Sequence, residues 1–122
     1  MTDQESSVRV SGVVDVPPGM VPKEAPIVTV RVEDTSRSDA PSKIVGEQRM
    51  DRVPLDPAGT RLPFAVDVPA GLIERRGRYT VRVHIDVSGS GEVSEGDFVS
   101  TQSYPVLTTD DEGLVTVRVK AV

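Results

Sequence analysis

The chain has 122 residues, the size of one small domain, and a net charge of −5 at pH 7. An acidic balance argues against nucleic acid as a partner, because binding to its phosphates needs a basic face. The absence of cysteine excludes disulfides and thiolate chemistry. No apolar run reaches the ~18 residues that mark a membrane-spanning helix, so no membrane span is predicted.

Hydrophobic residues make up 37% of the chain and are mostly valine. A β-branched side chain is stiff at χ1 and packs well on a pleated surface, so this composition favours strands. The ten glycines and ten prolines cluster between the valine runs. Short strands joined by turns have this arrangement.

Three strands are predicted in the first half of the chain. Val8–Val16 has valines at period two and stops at Pro17. Ile27–Glu33 places three valines on one face and polar side chains on the other, which is the pattern of a half-buried strand. A turn-rich connection, Asp34–Ser42, leads to the less regular Lys43–Met50.

Four more strands are predicted in the second half. Leu62–Val68 contains Pro63, which predicts either an edge strand or a strand that starts at Leu62. Tyr79–Val87 shows the clearest alternation, and we expect a hairpin between it and Phe98–Ser103 across a glycine- and serine-rich loop. Val115–Ala121 is the last strand.

The predicted fold class is therefore all-β. About seven short strands at regular spacing, with no convincing helix, indicate a small two-sheet β-sandwich of Ig-like or Greek-key type. One sandwich domain is expected over residues 8–122, after a disordered N-terminal tail of residues 1–7.

Residues for catalysis are sparse. The one histidine, His84, lies on the polar face of a predicted strand between Arg82 and Asp86, where we expect an exposed surface side chain. The chain contains neither a G-x-S-x-G nucleophile elbow nor a phosphate-binding glycine loop. These observations predict a protein that is not an enzyme.

One loop has oxygen-bearing side chains at spacings similar to those of a twelve-residue calcium loop. Its candidate metal ligands are Asp86, Ser88, Ser90, Glu92 and Asp97, and a glycine occupies the position of the sharp turn. Serines stand where such loops usually carry Asp or Asn, and the flanking segments are strands rather than helices. A flexible acidic hairpin loop without an ion explains the same residues, so both interpretations stay open.

Several segments, in order and at similar spacings, resemble one protein family between about Val8 and Thr108. They are Val10–Val14, Val30–Asp34, Ser38–Pro41, Ile44–Gln48, Leu62–Phe64, Tyr79–Val83, and Thr101 with Tyr104–Thr108. Taken together they resemble the YbaY/YscW family of bacterial envelope lipoproteins, which includes the type III secretion lipoprotein chaperones, or pilotins.

The resemblance implies a small β-sandwich without enzymatic activity, attached to the cell envelope by a lipid. This chain begins without a signal peptide and has no cysteine to accept a lipid. We therefore expect either a shortened chain or a cytoplasmic member of the family. Escort of a secretin, the pilotin role, is implied for one branch of the family.

The sequence predicts a non-catalytic domain that binds a protein partner, in a chaperone-like or pilotin-like role. The partner could dock by β-strand addition, on the strand containing Leu62–Phe64 or on Val8–Val16. The alternative function is a weak ligand- or calcium-binding module that uses residues 86–97. No cofactor is predicted, and calcium at residues 86–97 is the one alternative.

Overall fold

The computed structural model describes residues 6–19, 25–37, 39–74, 76–107 and 114–122, and every structural statement below is confined to these residues. They form eight strands and one 3-10 turn, which confirms the predicted all-β class. In chain order these are β1 (Ser7–Val16), β2 (Ile27–Asp34), β3 (Lys43–Met50), β4 (Thr60–Pro69), the 3-10 turn (Ala70–Leu72), β5 (Tyr79–Asp86), β6 (Phe98–Ser100), β7 (Pro105–Val106) and β8 (Leu114–Ala121).

The predicted disordered tail falls mainly outside the described residues. Residues 1–5 are not described, and β1 begins at Ser7. Disorder of this tail therefore stays a prediction. Among the described residues, no helix is long and apolar enough to cross a membrane.

The strands form a nearly closed barrel, so the predicted two-sheet sandwich is wrong. Their order is β3-β2-β5-β6-β8-β1-β4, and β7 pairs with β5 beside this path. β8 connects β6 to β1 in this order, because its residues 114–118 pair in parallel with β1 while its residues 119–121 pair with β6. Inward and outward side chains alternate in a barrel as they do in a sandwich, so the valine pattern could not distinguish them.

The interior of the barrel is built largely from valine. On β2 and β5 the register places Val28 opposite Ile85, Val30 opposite Val83 and Val32 opposite Val81. All six side chains are at most 2% exposed, and burial of each contributes about 1.5–3 kcal/mol relative to exposure.

A glycine allows the close approach of β1 and β8. Gly12 lies opposite Val115 in the parallel pair. A Cβ atom at Gly12 would overlap the Val115 carbonyl oxygen and would lie 2.8 Å from Cζ of Phe64. Any larger residue at this position must therefore push β1 and β8 apart.

The barrel closes where its two end strands, β3 and β4, pack together. Gln48 on β3 accepts a hydrogen bond through Oε1 from the backbone N–H of Ala65 on β4, at 2.9 Å. At Gly46, a Cβ atom would lie only 2.8 Å from a methyl of Val66 and 3.0 Å from the carbonyl oxygen of Asp67. We call this contact the β3/β4 seam.

The prediction of an edge strand is confirmed for β4, which pairs with β1 on one side and ends the strand order. Alternate residues of a strand direct their N–H groups to the same side, and that of Ala65 points to Gln48 across the seam. Pro63 and Pro69 share this side and have no N–H. The free side of β4 is therefore poor in donors for an added strand.

The other predicted docking strand, Val8–Val16, is not an edge. β1 pairs with β4 along its whole length and with β8 over residues 11–15. Backbone groups on both sides of β1 are therefore already engaged in this central part. The sequence pattern gave no strand order, so it could not exclude β1.

Candidate functional site

The loop from Asp86 to Asp97 joins β5 to β6. One buried carboxylate, that of Asp97, accepts hydrogen bonds from residues near both ends of this loop. The Asp97 side chain is 0% exposed. Its Oδ1 accepts the backbone N–H groups of Val87 at 2.8 Å and Ser88 at 3.3 Å. Its Oδ2 accepts the N–H of Ser94 at 3.1 Å and lies 2.8 Å from Nε2 of His84. Burial raises the pKa of Asp97, but these hydrogen bonds outweigh it and hold the pKa below its ordinary value of 3.8.

The second carboxylate of the loop, Asp86, also accepts hydrogen bonds from nearby residues. Its Oδ1 accepts the N–H of Gly89 at 2.8 Å and the hydroxyl of Ser88 at 3.2 Å, and its Oδ2 accepts the N–H of Gly91 at 2.8 Å. Gly89 and Gly91 have φ angles of 79° and 85°. This left-handed backbone, which glycine adopts without strain, turns both N–H groups toward Asp86.

The structure brings some of the predicted calcium ligands together. Ligand atoms of Asp86, Asp97 and His84 all lie within 4.8 Å of one another. The Ser90 hydroxyl lies 3.1 Å from that of Ser88 and donates to the carbonyl oxygen of Glu92. Glu92 itself is exposed. Calcium binding at this loop stays a prediction.

The prediction that His84 is an exposed surface side chain is wrong. Its side chain is 20% exposed and pairs with the buried Asp97. The hairpin between β5 and β6 was predicted and is confirmed, but the pairing of His84 with Val99 depends on a register that the loop sequence does not specify. In the described part of the chain, no serine or threonine hydroxyl is hydrogen-bonded to His84.

A groove of about 680 Å³ lies on the outer face of β2, β3 and β5, and the Asp86–Asp97 loop borders it. Arg31 on β2 stands directly opposite Arg82 on β5. Arg31 pairs with Glu47 at 2.7 Å, and Arg82 approaches Glu33 at 3.5 Å. Arg31, Glu33 and Arg82 lie on strand faces that were predicted to be polar. The groove was not predicted, because it forms only where the folded loop stands beside these faces.

The groove changes in character along its length. The two arginines and their acidic neighbours occupy its middle. At the loop end, its lining includes the apolar side chains of Ile27, Val93 and Val99. Val93 is 56% exposed, which is unusual for an apolar side chain in so polar a loop. The outer face thus offers charged and apolar contacts side by side.

Comparison with known proteins relates the chain to a protein family and to a solved structure. The family model described as type III secretion system lipoprotein chaperone (YscW) matches residues 5–119. Among solved structures, an alternative pilotin from the type II secretion system of Vibrio cholerae is similar, with a TM-score of 0.75 and 23% identity. That similarity covers 96% of this chain and 98% of the other, and it shows the fold. No curated protein sequence matches the chain.

Proposed function

We propose, from the premise that this chain belongs to the type III secretion system lipoprotein chaperone (YscW) family, that it is a non-catalytic domain that binds and escorts a protein of a bacterial secretion apparatus. The family match over residues 5–119 is the observation that carries the proposal. The structural similarity to a pilotin supports it through the fold.

The arrangement around His84 supports a role without catalysis. A nucleophile activated by histidine needs a hydroxyl or thiol within hydrogen-bond reach of the ring. Here Nε2 of His84 faces Asp97, and the nearby Ser100 hydroxyl accepts the N–H of Val83 at 2.9 Å. Both groups therefore have structural partners.

The proposed place of action is the cell envelope, where lipoprotein chaperones of this family work. The proposed partner is a secretin, which is the partner that the pilotin resemblance implies.

The alternative function is a calcium-binding module. The closeness of Asp86, Asp97 and His84 supports it. The hydrogen bonds work against it, because backbone N–H groups already point at the carboxylate oxygens that an ion would need. We therefore rank protein binding first.

Isothermal titration calorimetry with purified segments that together cover the secretins of the same bacterium tests the proposal. We expect one secretin segment to bind saturably, with a Kd on the order of 1 μM or tighter. A segment of an unrelated porin from the same outer membrane is the control. Absence of binding to every secretin segment would contradict the proposed function.

A further inference from the structure

Two arginines in the floor of the groove stand directly opposite each other on neighbouring strands. Arg31 and Arg82 are directly opposite across β2 and β5 and project to the same outer face. Like charges directly opposite on neighbouring strands destabilise a sheet. Local costs of this kind concentrate at functional sites. The lining also contains Arg49 and the carboxylates of Glu33, Glu47 and Asp86, so what matters is how fully these neighbours satisfy each guanidinium.

The acidic neighbours satisfy the two arginines unequally. Glu47 lies 2.7 Å from Nε of Arg31, and the two side chains are 43% and 45% exposed. Glu33 is 9% exposed and accepts the Ser42 hydroxyl at 3.0 Å, while Nε of Arg82 lies 3.5 Å from the same oxygen. The Arg82 side chain is 67% exposed. Since a guanidinium carries five N–H donors, most of those of Arg82 are open to the groove.

The two strands predicted as docking edges leave little room for a partner that binds through its backbone. The free side of β4 contains Pro63 and Pro69, and its Ala65 N–H is bound by Gln48. β1 lies between β4 and β8. A partner that docks on the described residues thus finds more to bind in the side chains of the groove than along these strands.

We infer that the groove binds an acidic segment of the partner polypeptide. A carboxylate of the segment pairs with Arg82 beside Arg31, and an adjacent apolar side chain packs on Val93 at the loop end. The guanidinium fork matches a carboxylate with two parallel hydrogen bonds. This inference rests on the proposed function and adds the surface and the chemistry of recognition.

Peptide titration followed by two-dimensional ¹⁵N NMR tests the inference. The probe is a capped ten-residue peptide of alternating glutamate and leucine, and the matched control peptide has glutamine in place of glutamate. We expect saturable shift changes at the amides of Arg31, Arg82 and Val93 with the glutamate peptide. Binding should weaken as salt is added, because the contact with Arg82 is exposed.

A pair of variants separates the groove from general charge. Arg82→Gln removes the open guanidinium, and we expect it to weaken peptide binding by about tenfold. Arg9→Gln removes the same charge from a side chain that is 66% exposed on β1, outside the groove, and should change the Kd by less than about twofold.

Three results would overturn the inference. The first is that the glutamine peptide binds as tightly as the glutamate peptide, and the second is that the Arg82→Gln variant binds the glutamate peptide as tightly as wild type. The third is that no amide in the groove shifts at about 1 mM peptide, a concentration at which only Kd values far weaker than millimolar escape detection. The secretin titration remains a separate result. A secretin segment that binds equally to wild type and to Arg82→Gln would uphold the proposed function and reject the groove.

Discussion

The valine barrel and the loop from Asp86 to Asp97 are stabilised in opposite ways. Among the described residues, the barrel buries eighteen hydrophobic side chains, and backbone ladders connect its strands. Within the loop, the only buried residues are the two aspartates at its ends. Their carboxylates accept the loop's own N–H and hydroxyl groups. Apolar burial thus fixes the strands, and charge-assisted hydrogen bonds fix the loop that borders the groove.

The largest expected effect is a loss of stability in the barrel. Gly12→Ala places a Cβ against the Val115 carbonyl oxygen and 2.8 Å from Cζ of Phe64. Because β1 is also paired with β4 along its whole length, we expect the free energy of unfolding to fall by about 3 kcal/mol. Urea denaturation measures the loss. Gly71→Ala is the control, since no atom lies within 4 Å of its added Cβ, and equal stability of the two variants would refute the explanation.

The next largest expected effect is a loss of stability from a change in the loop. Asp97→Asn replaces an acceptor of four hydrogen bonds by an amide that can accept through one oxygen only. We expect the free energy of unfolding to fall by about 2–3 kcal/mol in urea denaturation at pH 7. Asp67→Asn is the matched control, because that carboxylate is 57% exposed in a surface pair with Arg9. Its loss should be below about 1 kcal/mol.

The contribution of Asp97 to the stability of the protein depends on pH. The folded pKa of Asp97 is lowered, with burial acting to raise it and the hydrogen bonds from His84 and three backbone amides prevailing. Its stabilisation is therefore complete above the ordinary pKa of 3.8 and is lost as the pH falls through the lower folded value. The stability gap between wild type and Asp97→Asn should stay constant at neutral pH and shrink below about pH 4. A gap independent of pH down to acid unfolding would contradict this.

The two regions also differ in how far the sequence could predict them. Period-two valines in Ile27–Glu33 and Tyr79–Val87 identified two strands and their buried faces. The closure of the barrel depends on β8, which changes its partner strand from β1 to β6 at Val119. The alternation of apolar and polar residues does not indicate this change of partner. In the loop, the sequence identified Asp86 and Asp97 as important oxygen donors. It could not distinguish carboxylates that bind an ion from carboxylates that bind their own backbone, because glycine and oxygen-bearing side chains serve both purposes.

A smaller effect is expected at the β3/β4 seam, where the barrel uses one polar side chain in place of a ladder. Gln48→Met removes the acceptor of the Ala65 N–H while keeping the length of the side chain. We expect a loss of about 1 kcal/mol in urea denaturation and faster hydrogen exchange at the Ala65 amide. Gln48→Glu keeps an acceptor oxygen and should retain the protection of that amide. Unchanged exchange in the Met variant would show that the seam does not depend on this bond.

The smallest expected effect concerns calcium, and it decides how the loop is stabilised. A site with a Kd of about 0.1 mM would add about 2.7 kcal/mol at 10 mM calcium, which raises the Tm of a domain this size by several degrees. The carboxylates of Asp86 and Asp97 already face backbone N–H dipoles, which repel a cation. We therefore expect the Tm to change by less than about 1 °C, as with magnesium at equal ionic strength. A rise of several degrees with calcium alone would instead show that an ion displaces these amides, and it would make the loop a metal site.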